Sequence, residues 1–118
     1  MASYRVISSD NHVYEPPDLW TNRVEPKFKD RAPRVVRLEE EGDWWFCDSH
    51  KIVGAFAGAQ TGRRFEEPEK LSRKDILENV RPGGYIPEEH IKDMDAGGVD
   101  AGVVYPTVGL LLYGVPDS

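Results

Sequence analysis

The chain has 118 residues and a formal net charge of −6 from 15 basic and 21 acidic side chains, with no basic stripe at helical spacing, so nucleic-acid binding has no electrostatic support. The longest apolar run, near residues 108–113, is too short to span a bilayer, and no signal-peptide apolar core precedes Asp10. One cysteine, Cys47, excludes an intrachain disulfide and fits a reducing, cytoplasmic setting.

Residues 4–9 read as a strand centred on Val6 and Ile7, and Glu15-Pro16-Pro17 stops it. Its exit carries Asp10 and His12, followed by Glu15. A carboxylate and an imidazole one residue apart turn toward a common point when a strand ends in a bend, and that is half of a divalent metal site. The competing reading is a turn cap beside a hydrogen-bonded histidine. Glu15 is expected either to accept an imidazole N–H or to stand as a surface carboxylate near a helical start.

Residues 34–38, 44–47 and 51–53 read as an antiparallel meander, with turns at 40–43 and 48–50. His50 falls in a turn and is expected to face solvent. Along Trp44-Trp45-Phe46 alternate side chains pack inward, either Trp45 or its two neighbours. Residues 54–69 lack a period and read as a long loop. Arg63 and Arg64 within it suit a carboxylate partner or a solvated loop. Ser72 and Asp75 resemble a capping pair for a short helix over 73–79.

The clearest helix covers 87–96. Pro87 suits its first position, Glu88 and Glu89 complement its positive end, and Gly97-Gly98 stops it. Ile91 and Met94 mark its apolar face, and His90 is expected on the solvated one. Residues 101–105 read as a buried strand closed by Pro106, with Thr107 at its exit. Cys47 has no neighbour that would activate a thiol.

Without the meander and the loop, the order is strand, helix, strand: one βαβ unit, whose strands lie parallel. Two strands and one helix cannot cover both faces of a parallel sheet. The fold class is therefore α/β, the opening of a larger fold with an inserted meander over 34–54 and its first helix and second strand over 87–107.

The run Ile7-Ser8-Ser9-Asp10-Asn11-His12-Val13-Tyr14-Glu15-Pro16-Pro17-Asp18-Leu19-Trp20 resembles the start of the amidohydrolase-related family. The similar branch includes aminocarboxymuconate-semialdehyde decarboxylase and the resorcylate-type decarboxylases. Residues 30–34 and 42–45 resemble that branch's inserted hairpin, and 93–100 with 105–107 its first helix and second barrel strand. The resemblance implies a metal-dependent (β/α)8 TIM barrel holding one zinc or manganese ion. It implies hydrolysis or non-oxidative decarboxylation of a small carboxylated or cyclic substrate.

In that likeness Asp10 and His12 stand at the first-strand metal ligands, within a strand-and-motif segment over 1–14, and Thr107 sits at the barrel mouth against substrate. Tyr14 occupies the place of a further histidine, which argues against a two-metal hydrolase. A complete barrel needs about 250 residues. The remaining ligands of the family, a histidine and an aspartate from later strands, would lie past Ser118, so 1–118 is expected to be an incomplete, N-terminal barrel domain. Two ligands alone would hold an ion weakly. The alternatives are a non-catalytic interaction module and an inactive truncated gene product, and self-association stays open in each.

Overall fold

The computed structural model describes residues 4–56, 58–59, 67–72 and 74–116. Strand β1 (Ile7–Val13) leads to an antiparallel meander of β2 (Arg34–Leu38), β3 (Gly42–Cys47) and β4 (His50–Gly54). Helix α1 (Pro87–Gly97) then precedes β5 (Ala101–Pro106) and the short α2 (Val108–Leu111). β1 and β5 form a parallel pair and β2-β3-β4 a separate sheet, so the fold is mixed α/β with both sheet types.

β1 starts and ends later than the sequence reading placed it. Asn11, His12 and Val13 pair with Val104, Tyr105 and Pro106, and this parallel ladder carries the strand past His12 to the proline stop. The register slips by one residue between Ser8 and Asn11. Such a bulge bends the strand and redirects the side chains around it.

The meander turns where its glycine and acids dictate. Gly42 takes φ 77°, a left-handed conformation open to glycine, and an added Cβ would lie 2.6 Å from the Asp75 carbonyl. The backbone N–H of Asp43 donates to that same carbonyl at 3.0 Å, and β3 begins earlier than its tryptophans because Gly42 and Asp43 pair with Leu38 and Arg37 of β2. Trp45 is the inward residue of the aromatic run and Trp44 and Phe46 flank it, half-buried. His50 is exposed as expected, but it opens β4 opposite Cys47 and does not lie in a turn.

One apolar core joins Trp45, Ala55, Phe56, Ala59, Val80 and Val108, and Trp20 meets Trp45 edge-on at 5.3 Å. It draws together the meander, the segment after β4 and the first residue of α2.

Helix α1 ends as its glycines require. Gly98 adopts φ 64° and Val99 N–H reaches back to the Met94 carbonyl at 2.9 Å. Its inner face differs from the expected one: Ile91 is exposed, while Met94 lies over Gly102 of β5. The helix expected over 73–79 is replaced by a single 3-10 turn, Leu77–Asn79. The Ser72 hydroxyl accepts from Lys74 N–H at 3.0 Å and Asp75 accepts from Ile76 N–H at 2.9 Å. These local side-chain bonds compete with helix formation.

β5 was expected to be buried, but Val103, Val104 and Tyr105 are all exposed. A two-stranded parallel sheet beside one helix leaves its faces bare. No described helix is long and apolar enough to cross a membrane.

Candidate metal centre

The bulge in β1 and the two-residue spacing place Asp10 and His12 on a common side of the strand. Asp10 Oδ1 lies 3.4 Å from His12 Nε2. The other imidazole nitrogen, Nδ1, faces the Pro106 carbonyl at 3.2 Å and the Thr107 hydroxyl at 3.5 Å. A carbonyl only accepts, so a neutral ring meets Pro106 with its proton on Nδ1, and in that form the lone pair of Nε2 faces the carboxylate of Asp10. Two acceptors so placed call for a cation or a proton between them.

The separation suits a shared ion. Bonds of about 2.0–2.1 Å at the tetrahedral angle set two donors about 3.3–3.4 Å apart. One nitrogen and one carboxylate oxygen match zinc or manganese in donor type. The number of donors is smaller than such an ion takes: among the described residues no group of three or more His, Cys, Asp or Glu side chains could hold a metal. The donor set thus fits half of a centre.

The expected contact between Glu15 and an imidazole does not form. Glu15 is buried, and its carboxylate accepts three backbone N–H groups: Thr107 at 3.1 Å, Val108 at 3.0 Å and Gly109 at 2.9 Å. Pro106 O takes the position next to His12 instead, because the chain leaving β5 turns its backbone donors to Glu15 and its last carbonyl to the ring. Thr107 stands beside the imidazole, and its hydroxyl donates to the Val13 carbonyl at 2.7 Å. Tyr105, the cross-strand partner of His12, places its ring centre 6.0 Å from the imidazole.

A cavity of about 200 Å³ adjoins His12, walled by Tyr14, Val80, Gly83, His90 and Asp93 among others. Burial pushes the Tyr14 phenol up, so it stays a neutral hydrogen-bonding group there. Asp93 is forked by Arg81, with Nε at 2.8 Å from Oδ2, and this pairing holds its carboxyl below the usual range.

His90 is not on a solvated face. Its Nδ1 bonds to the Gly83 carbonyl at 2.9 Å, and its Nε2 is buried without a partner among the described residues. No helical spacing in the sequence relates His90 to Gly83, which lies outside α1, and only the packed 3-10 turn shows which side of α1 faces inward. Cys47 is half-buried, with its S–H near the Arg31 carbonyl at 3.6 Å, and burial pushes the thiol up. Arg63 and Arg64 lie outside the described residues.

Asp10 was expected at the exit of the first strand, but the ladder to β5 runs on to Val13, so Asp10 is the middle residue of β1 and only His12 lies near its carboxyl end. In fold the chain is similar to a solved amidohydrolase from Mycobacterium avium subsp. paratuberculosis K-10, with a TM-score of 0.64 and 22% identity over 96% of this chain. It spans 33% of that protein's chain. No protein-family model matches the sequence, and no curated protein matches it.

Proposed function

We propose that this chain carries the first-strand ligands, Asp10 and His12, of a single-ion centre in an amidohydrolase-type (β/α)8 barrel. The reaction is hydrolysis or non-oxidative decarboxylation of a small carboxylated or cyclic substrate. The observation that carries the reading is the 3.4 Å approach of Asp10 Oδ1 to His12 Nε2, with the other ring nitrogen turned to the Pro106 carbonyl. The fold likeness supports it, and the cavity of about 200 Å³ beside His12 suits a substrate of few heavy atoms.

Asp10 and His12 would hold a zinc or manganese ion, whose Lewis acidity would polarise a carbonyl or carboxylate oxygen. Thr107, at the exit of β5, would offer its remaining lone pair to the substrate. The test is isothermal titration of the purified chain with zinc and manganese chlorides, against Asp10→Ala and His12→Ala. Weak binding in the parent and none in either variant is expected, because two protein ligands leave most of the coordination shell to water. Equal metal uptake by all three proteins overturns the ligand assignment.

One observation favours a second reading, a non-catalytic interaction module. Ile7, Val103, Val104 and Tyr105 expose apolar surface along the parallel pair. That reading expects concentration-dependent association in light scattering, weakened by Val103→Lys, with metal making no difference. A monodisperse monomer across the accessible concentration range removes it.

A further inference from the structure

We infer that Glu15 is a positioning residue for His12, acting through the backbone that follows β5 and not by touching the ring. The inference rests on the metal-centre reading above and adds to it the element that aims the imidazole. The buried carboxylate of Glu15 gathers the N–H groups of Thr107, Val108 and Gly109 within 2.9–3.1 Å. Three consecutive donors on one carboxylate fix the path of residues 107–109. Gly109 packs so closely that an added Cβ would lie 3.4 Å from Glu15 Oε1 and 3.2 Å from Pro106 Cβ, so the clamp and Pro106 are in register through it.

That path sets the two groups facing the imidazole. The Pro106 carbonyl precedes the clamped Thr107 N–H in the same peptide unit, so fixing the N–H fixes the carbonyl in that rigid plane. The Thr107 hydroxyl then ties the segment to Val13 at 2.7 Å, one residue from His12. Glu15 therefore orients Pro106 O, Pro106 O holds the proton on Nδ1, and the lone pair of Nε2 is left toward Asp10. Released from the clamp, Pro106 O rotates with its peptide and the ring loses its reason to prefer one tautomer. Side chains and carbonyls that hold the outer nitrogen of a ligating histidine typically change metal affinity by about 10–100-fold when removed.

The test uses the full chain at about pH 8, where an ordinary imidazole is neutral. Long-range proton–nitrogen correlation spectra of uniformly labelled protein read the His12 tautomer directly, and zinc chloride titration reads affinity. The parent should show the Nδ1–H form. Glu15→Gln keeps the shape but places an amide N–H among backbone donors; it should mix the tautomers and weaken zinc binding about tenfold or more. A folded Glu15→Gln with the parent tautomer overturns the inference, whatever its melting temperature, since a purely structural role would lower stability alone. If that variant does not fold, Glu15→Asp decides: it keeps the charge and draws the carboxylate back from the three N–H groups. A mixed tautomer in Glu15→Asp supports the inference, and an unchanged one overturns it. Failure of the parent to bind zinc removes the metal reading, while the tautomer of the variants still decides the role of Glu15.

Discussion

Asp43→Ala should loosen the inserted meander from the segment that backs the site. Asp43 is 4% exposed. Its carboxylate takes Arg37 Nε at 2.7 Å, Arg37 Nη2 at 3.0 Å and the Leu77 N–H at 3.0 Å. Arg37 is half-exposed and also pairs with Glu78, so its guanidinium returns to water and to Glu78 when Asp43 is lost. The Leu77 N–H has no such exit. Leaving one inner backbone donor unmet costs about 1–3 kcal/mol, which is the expected loss in urea denaturation. Asn at the same position keeps an acceptor for Leu77 and gives up the charge and one acceptor for the half-exposed Arg37, at about 1 kcal/mol. Hydrogen bonds from Arg37 hold the Asp43 carboxyl below the ordinary range, against the opposing pull of burial and with help from Leu77. The unfolded chain therefore binds the proton first on acidification, so this contribution is whole above the unfolded value of about 3.9 and disappears as pH falls through the lower folded value. The stability gap between the parent and Asp43→Asn should be full near neutrality and close below about pH 4. An Asp43→Ala protein within about 0.5 kcal/mol of the parent, or an Asn gap that does not change with pH, refutes the account.

Three further outcomes are expected. Trp45→Ala, at a side chain 1% exposed and stacked edge-on against Trp20, should lose about 3–5 kcal/mol in the same denaturation assay. Gly42→Ala should lose about 2–4 kcal/mol, because φ is 77° and the clashing atom, 2.6 Å away, is the backbone carbonyl of Asp75. Burial, and then the charge of Asp48, push the Cys47 thiol up, so native protein should react with iodoacetamide several-fold more slowly than urea-unfolded protein at a pH of about 8. Equal rates would contradict that.

The parts of the fold that the sequence disclosed are those set by local chemistry. Residues 34–38, the turns around Gly42 and Asp48, and the Pro87 start and Gly98 stop of α1 all lie where side-chain and glycine preferences place them. The Asp10–His12 pair is legible for the same reason, since its members are two residues apart on one strand. What was missed depends on distant partners. The role of Glu15 needs backbone donors 92 to 94 residues away. The inward turn of His90 needs the Gly83 carbonyl, and Ile91 beside it points outward. The helix expected over 73–79 gave way to local chemistry: the Asp75 side chain takes the N–H of the very next residue, Ile76, and that of Asn79's amide, which favours a turn.

The meander is an insertion in sequence but not an appendage in energy. Val108 is 1% exposed in the core that holds Trp45 and Phe56, and its N–H is one of the three that Glu15 grips, at 3.0 Å. One residue therefore belongs both to the apolar core under the inserted sheet and to the clamp that sets Pro106 against His12. Tyr14 adds a second link: it packs against the same core, 6.3 Å from the ring of Phe56, while its N–H bonds to Gly84 at 2.8 Å just beyond β1. The apolar packing that stabilises the meander thereby fixes the chain on both sides of the candidate ligands. The parallel pair alone, exposed on its faces, could not do so. The long excursion between β1 and α1 thus supplies the buried surface that steadies the strand carrying Asp10 and His12.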